Sequence, residues 1–170
     1  MHNIHNIMEI VQLNANAKLS EHFTLGEFTR SNSHPEIYTI PSHEAIANMK
    51  RLCEWLEVLR EASPGPTASP GPSKGRGEPI IINSGYRSPQ LNRKIGGAPN
   101  SNHLTGCAVD IRVSGMEQLI RYAAILLDYA DESKQKFDEL LIERNSHGAI
   151  WLHFAVRPSG NRRKILFINA

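Results

Sequence analysis

Two ionisable residues lie in the middle of short apolar segments, and their placement constrains the fold more than any other feature of the 170-residue chain. Asp110 lies within CAVDIRV and His153 within IWLHFAV, and both segments are typical of buried β-strands. A buried carboxylate is costly unless a cation or several hydrogen-bond donors compensate its charge. Antiparallel strands can bring two such side chains onto one face of a sheet, so we expect Asp110 and His153 on one face.

A second histidine, His103, lies seven positions before Asp110 in the segment SNHLTG, where core histidines are uncommon. Two histidines and one carboxylate form a ligand set that zinc accepts, with a fourth position left open for water. Each residue alone is more often structural, so the prediction depends on their combination. We therefore predict one zinc ion per chain, bound by His103, Asp110 and His153. Cys107 remains open as a further ligand, although a free cysteine before a strand is more often a small buried hydrophobe.

The other histidines are expected to be solvated in an arm, in loops or at helix ends. They are His2, His5, His22, His34, His43 and His147.

The hydrophobic pattern predicts two main helices and five short strands. Ser42 is the expected N-cap of a helix that ends near Ala62, and a capping box from Ser114 to Glu117 is expected to start a helix that ends near Ala130. The expected strands are residues 80–82, 107–113, 137–143, 150–156 and 163–168. Short turns join the last three strands, which predicts an antiparallel meander. The fold class is therefore α+β, an antiparallel β-sheet flanked by helices.

The length of the chain suits one domain with a substantial core, and we expect residues 1–170 to form it. Residues 1–18 are expected to be a loose N-terminal arm, with a weak strand signal over Met8 to Leu13. Residues 63–79 contain two copies of SPGP and almost no apolar side chain. Such a segment buries too little surface to offset its ordering entropy, so we expect a flexible Pro/Gly-rich insertion.

Composition and charge exclude several classes of protein. The chain is 40% hydrophobic and 21% charged, as expected for a globular protein, and its net charge of +2 is too small to indicate a nucleic-acid partner. No apolar run approaches the roughly 18 residues of a membrane span. The N-terminus lacks the pattern of a secretory signal, so we expect cytoplasmic synthesis and reduced thiols at Cys53 and Cys107. We also expect a monomer.

The stretch SGYRSPQLNRKIGGAPNSNHLTGCAVDI, followed later by WLHF, resembles the core motif of the D-Ala-D-Ala carboxypeptidase-type zinc metallopeptidases. This group also includes lysostaphin-type enzymes and the hedgehog signalling domain. The motif is similar to a compact branch found in phage endolysins and bacterial cell-wall hydrolases. The resemblance covers about residues 19–156. It implies the hedgehog/D-Ala-D-Ala-peptidase-like fold and assigns the zinc ligands to His103, Asp110 and His153.

The resemblance also implies roles for residues around the metal. Arg87 matches an arginine that binds substrate and stabilises the oxyanion, and a fixed guanidinium aimed at developing negative charge suits that role. Ser101 matches a substrate-contacting serine. Ser84 and Tyr86 are expected to line the substrate pocket.

The catalytic base is where the chain departs from the pattern of the resemblance. Many relatives carry Glu or Asp three residues before the last ligand, but Ile150 occupies that position here. Glu143 is our candidate base, because a short hairpin could return the next strand beside it and place its carboxylate near His153. The alternative is a solvated Glu at a strand end, and Glu139 is a second choice as base.

The resemblance implies a zinc-dependent peptidase that hydrolyses peptidoglycan stem or cross-bridge peptides, as a carboxypeptidase or an endopeptidase in cell-wall lysis. The missing signal fits a protein that reaches the cell wall after holin-type release or lysis. Two alternatives stay open. One is a non-catalytic zinc-containing module that binds a peptide or a partner, as Ile150 suggests. The other is a cytoplasmic D-Ala-D-Ala dipeptidase.

Overall fold

A five-stranded sheet forms the centre of the protein, as seen in a computed structural model that describes residues 14–37, 39–63 and 77–169. In chain order the strands are β1 (Ile82–Ser84), β2 (Ala108–Arg112), β3 (Glu139–Arg144), β4 (Ile150–Ala155) and β5 (Lys164–Asn169). Their order across the sheet is β1-β2-β4-β3-β5. Together with the helices that flank the sheet, this arrangement confirms the predicted α+β class.

The last strand does not continue the predicted meander. β3 and β4 form the expected antiparallel hairpin, but β5 runs parallel to β3 and lies at the edge of the sheet. The physical reason is that β4 pairs with β2 on one side and β3 on the other, so neither of its edges is free. The chain therefore passes around the start of β3, where the N–H of Lys164 donates to the carbonyl of Asp138 at 2.8 Å.

In the described ranges, four α-helices and one 3₁₀-helix accompany the sheet. They are α1 (Leu25–Thr29), α2 (His43–Ala62), α3 (Pro89–Lys94), the 3₁₀-helix (Asn102–Thr105) and α4 (Met116–Ser133). The hydroxyl of Ser42 accepts from the N–H of Ala45 and caps α2 as predicted. In the described part of the chain, no helix is long and apolar enough to cross a membrane.

The predicted capping box of α4 is wrong. Gly115 is the N-cap, and no side chain of the described residues caps this helix. Because the helix begins at Met116, Glu117 occupies its second position rather than the third position that a capping box requires. The N–H of Ser114 instead donates to the side-chain oxygen of Gln118 at 2.7 Å.

The sheet has one apolar face and one face that carries ionisable groups. The apolar face packs with α2 and α4 in a core whose fully buried members include Val109, Ile111, Leu152, Phe154, Trp55, Leu56, Leu119 and Leu126. Alternate residues of a strand point to opposite faces, so Asp110 and His153 face away from this core. Glu139 and Glu143 of β3 lie on the same face as Asp110 and His153. Leu141, which pairs with His153, lies on this face, and Glu139 and Glu143 are each two residues from it.

Parts of the predicted arm and insertion lie outside the described residues. These parts are residues 1–13, which include the strand signal over Met8 to Leu13, and residues 64–76. The end of the arm is held in place, because the N–H of Gly26 donates to Ala15 and the N–H of Leu25 donates to Ala17, both at 2.8 Å. These backbone hydrogen bonds attach residues 15–17 to the start of α1.

A fully buried carboxylate, Asp138, fixes the path of the chain around β3. Arg162 donates to it through Nε at 2.8 Å and Nη2 at 2.7 Å, and the Nε of Arg157 lies 3.0 Å away. Asn102 adds a bond of 2.8 Å. Burial alone would raise the pKa of Asp138, but the hydrogen bonds from Arg162 and Asn102 and the charge of Arg157 lower it below its usual value.

We predict that Asp138→Asn lowers the free energy of unfolding by about 2–3 kcal/mol at pH 7, because two arginines lose their shared buried partner. A carboxylate with a lowered pKa stabilises the fold above its unfolded pKa of about 3.9 and loses this effect as pH falls through the folded pKa. The difference from wild type should therefore shrink below about pH 4. Urea denaturation at neutral and acidic pH measures both effects.

The matched control is Asp131→Asn, which removes an exposed ion pair of 2.8 Å with Arg163. Exposed pairs contribute little, so we expect a change below about 0.5 kcal/mol. Equal effects of the two substitutions at pH 7 would contradict the structural role of Asp138.

Candidate metal centre

Asp110 and His153 lie directly opposite each other on β2 and β4. The Nδ1 of His153 is 2.8 Å from the Oδ1 of Asp110, and both residues are less than 10% exposed. The two strands therefore bring the two side chains onto one face, as expected from their positions in apolar segments.

His103 reaches the same carboxylate oxygen from the 3₁₀-helix. Its Nε2 is 3.3 Å from the Oδ1 of Asp110, and its Nδ1 is 2.6 Å from the carbonyl oxygen of Gly85. A carbonyl only accepts, so Nδ1 carries the proton and the lone pair of Nε2 faces Asp110. Burial lowers the pKa of His103, which favours this neutral form.

The local sequence explains why a tight turn lies here. The hydroxyl of Ser101 accepts from the N–H of His103 at 3.3 Å and caps the 3₁₀-helix. Gly106 ends it with φ of 72°, and an added Cβ at this glycine would lie 2.6 Å from the carbonyl oxygen of Ala45 in α2. Only glycine fits this left-handed conformation and close approach without strain.

Three ligand atoms converge at this site. They are the Nε2 of His103, the Oδ1 of Asp110 and the Nδ1 of His153, and the three residues form a group whose ligand atoms all lie within 4.8 Å of one another. Tetrahedral zinc with bonds of about 2.0–2.1 Å separates its ligand atoms by about 3.3 Å, and the two nitrogens lie 3.3 Å and 2.8 Å from the Oδ1 of Asp110. The donor set therefore fits a metal ion with an open position. No other such group occurs in the described ranges.

Neighbouring side chains compensate the negative charge of Asp110, and a bound metal ion would take over this role. Burial alone would raise its pKa, but the two histidines hold it well below the usual range. Burial likewise lowers the pKa of His153, yet hydrogen bonds to Asp110 and Glu139 raise it to about 9. A metal ion would therefore compete with a proton for this imidazole.

Arg87 holds the second oxygen of the same carboxylate. Its Nη2 donates to the Oδ2 of Asp110 at 2.7 Å, and its Nε donates to the hydroxyl of Ser84 at 2.9 Å. The N–H of Arg87 also donates to the carbonyl of His103 at 3.0 Å. Arg87 thus fixes Asp110 with Oδ1 turned toward the histidines.

A cavity of about 520 Å³ opens over these groups. Arg87, Ser101 and Glu143 line it together with the three candidate ligands. Glu143 lies opposite Trp151 in the β3–β4 hairpin. Burial raises the pKa of Glu143, and the negative charge of Asp110 adds to this rise. The hairpin therefore brings Glu143 to the site, as the sequence suggested.

The other expected pocket residues lie farther from the cavity. Ser84 is behind Arg87 and is not among the residues that line the cavity. Tyr86 packs against the hydrophobic core and is also outside the lining. Cys107 is buried with its Sγ 3.9 Å from the carbonyl of Thr105, so it is not one of the converging ligands.

Several residues of the cavity wall carry no role in the sequence analysis. They are Asn102, Arg157, Arg162 and Lys164. Glu139, the second choice as base, also lines the cavity, because the two-residue alternation of β3 places it on the same face as Glu143.

The other histidines of the described ranges are not part of the site. His43 and His147 are exposed as expected, and His2 and His5 lie outside the described residues. His22 is exposed but contacts a carboxylate oxygen of Glu57 at 2.7 Å, and His34 contacts Glu36 at 3.2 Å.

A protein family and a curated enzyme are similar to this chain. A family model described as Peptidase M15 matches residues 73–144. The zinc D-Ala-D-Ala carboxypeptidase of Streptomyces albus G is 30% identical over 103 residues, which cover 61% of this chain and 36% of that relative. The chain thus spans about a third of the length of this curated relative.

The match to the family includes most of the site. Residues 73–144 contain Arg87, His103, Asp110 and Glu143, whereas His153 lies beyond the matched segment and joins the site through the pairing of β4 with β2. Residues 73–144 of this chain are thus similar to the Peptidase M15 family over a segment that carries two of the three candidate ligands.

Proposed function

We propose that the protein is a zinc-dependent peptidase that hydrolyses peptidoglycan stem or cross-bridge peptides. The observation that carries this proposal is the convergence of His103, Asp110 and His153 in a cavity that also contains Glu143 and Arg87. The name of the relative supports zinc as the metal and a peptide that ends in D-Ala-D-Ala as the substrate class.

Zinc at such a site lowers the pKa of a bound water and polarises the scissile carbonyl. Glu143 is our proposed general base, because its carboxylate faces the same cavity as the three ligands. Its raised pKa brings it closer to the neutral range, in which one group can both accept a proton from water and pass it to the leaving amine.

Arg87 is proposed to contact the substrate and stabilise the oxyanion. Its side chain is 13% exposed and lines the cavity, while its bonds to Asp110 and Ser84 keep the guanidinium in one place. Fixed positive charge helps a transition state most when it needs no reorganisation. In this arrangement Ser84 acts on the substrate through Arg87, and Ser101 is the serine that can donate a hydrogen bond to bound peptide.

A non-catalytic binding module is the second candidate, because Ile150 occupies the position where many relatives carry an acidic residue. A D-Ala-D-Ala dipeptidase is a third candidate that would use the same residues. The proposal covers cleavage as a carboxypeptidase or as an endopeptidase, and the products formed distinguish the two. It also covers an endolysin-like role in cell-wall lysis after holin-type release.

We predict that zinc stabilises the protein and that a chelator reverses the effect. Ligand at about 1,000 times its dissociation constant adds about 4 kcal/mol, which corresponds to a rise in Tm of roughly 10 °C for a domain of this size. His103→Ala and His153→Ala should abolish most of this rise. The exposed His147→Ala is the matched control and should keep it. Differential scanning calorimetry with and without zinc measures the shift. A Tm that neither zinc nor chelator changes would refute the site.

We predict that Glu143→Gln lowers kcat by about 10²- to 10⁴-fold on peptidoglycan peptides, since the amide cannot accept the proton. The zinc-induced rise in Tm should persist, because Glu143 is not one of the three ligands. Exposed Glu117→Gln on α4 is the control and should retain wild-type kcat. Unchanged hydrolysis by Glu143→Gln would exclude Glu143 as the base.

Mass spectrometry of the products separates the candidate activities. Release of free D-Ala from stem peptides indicates a carboxypeptidase, and internal cleavage indicates an endopeptidase. Release from the dipeptide but not from walls indicates a dipeptidase. If the zinc-loaded wild type releases nothing from any of these substrates, the result supports the non-catalytic binding module instead of the enzyme.

A further inference from the structure

The imidazole of His153 contacts carboxylates on both sides. Its Nδ1 faces the Oδ1 of Asp110 at 2.8 Å, on the side of the converging ligands. Its Nε2 is 3.4 Å from the Oε2 of Glu139. This second contact is longer than a well-formed hydrogen bond, and Nε2 is buried with no closer partner among the described residues. The remote nitrogen of a candidate ligand thus has one nearby acceptor.

The carboxylate of Glu139 is itself held in place. Asn102 donates to its Oε2 at 3.0 Å, and Arg162 donates to its Oε1 at 2.8 Å. The Nζ of Lys164 lies 3.5 Å from the same Oε1. The side chain of Glu139 is only 13% exposed, so these contacts leave it little freedom to move.

Asn102 connects this carboxylate to the other histidine. It precedes His103 in the chain and donates to the buried Asp138 at 2.8 Å as well as to Glu139. Its side-chain oxygen accepts from the Nε of Arg157 at 2.9 Å. The two histidines are therefore linked twice, once through Asp110 and once through Asn102 and Glu139.

We propose that Glu139 is a positioning residue that accepts the Nε2–H of His153 and thereby presents Nδ1 to the metal. An imidazole binds a metal through an unprotonated nitrogen, so its single proton must then lie on the other nitrogen and find an acceptor. Glu139 supplies that acceptor and is held for it by Asn102 and Arg162. This inference depends on the zinc site of the proposed function.

The same geometry argues against Glu139 as the catalytic base. Its carboxylate contacts the ring nitrogen of His153 that points away from Asp110 and His103. Arg162, Lys164 and Asn102 occupy its oxygens. Glu143 makes no such set of contacts and remains the candidate base.

The test is zinc affinity, measured by competition with a chromophoric chelator. Outer carboxylate partners of metal-bound histidines typically contribute 10- to 100-fold in affinity, so Glu139→Ala should bind zinc that much more weakly. Glu139→Gln keeps an oxygen that can accept the same N–H and should recover most of the loss. A role that depends on the ion pairs of Glu139 with Arg162 and Lys164 would not be rescued, because glutamine carries no charge.

Lys164→Met and Asp138→Asn are the matched controls. Lys164→Met removes a contact of Glu139 but none of His153 and should stay within about twofold of wild type. Asp138→Asn damages the same network without touching His153. If Glu139→Ala loses no more zinc affinity than Asp138→Asn, or stays within twofold of wild type, the proposed role is wrong.

Nuclear magnetic resonance of the zinc-loaded wild type provides a test that needs no variant. We expect the ring proton of His153 on Nε2, and a proton on Nδ1 instead would overturn the proposal. If Glu139→Ala fails to fold, this spectrum and the Glu139→Gln affinity still decide it. Wild-type protein that binds no zinc would refute the proposed function itself, whereas normal zinc binding with unaffected Glu139 variants would refute only the role of Glu139.

Discussion

The buried carboxylate of Asp110 is the interaction on which the site depends. Removing an ionised carboxylate from water is costly, and an unpaired one would instead take up a proton. Here Arg87 donates to one oxygen and His153 to the other, with His103 also in contact, so both oxygens have a positively charged partner. These partners come from a loop after β1, a 3₁₀-helix and β4, so one carboxylate joins segments that are far apart in the sequence.

A buried carboxylate can lie beside a packed core because the sheet has one apolar face and one face that carries ionisable groups. On β2, Val109 and Ile111 enter the core, while Asp110 between them faces the cavity. A shift of one residue in the register of β2 against β4 would turn Asp110 into the core and separate it from His153. The apolar face therefore fixes the register, and the register in turn positions the ligands. The packing of the hydrophobic core thus determines where the candidate ligands lie.

Much of this arrangement could be predicted from local sequence. The helix from Ser42 and the hairpin of β3 and β4 follow from periodicity and turn residues, and Asp110 and His153 are conspicuous because they interrupt apolar strands. The parallel placement of β5 could not be predicted, because it depends on β4 having both edges occupied and on Asp138 binding Arg157 and Arg162. Asn102 also escaped prediction, since its role comes from partners distant in the chain.

The absence of an acidic residue at position 150 has a structural explanation. Ile150 is three residues before His153 in a regular strand, so its side chain points to the opposite face and packs against the core. A carboxylate at this position would be buried away from the ligands. The site-facing positions of the hairpin are Trp151 and His153 on β4 and their cross-strand partners, of which Glu143 pairs with Trp151. A carboxylate on β3 can therefore face the candidate metal site when β4 stays extended, and an apolar side chain such as that of Ile150 suits the core-facing position.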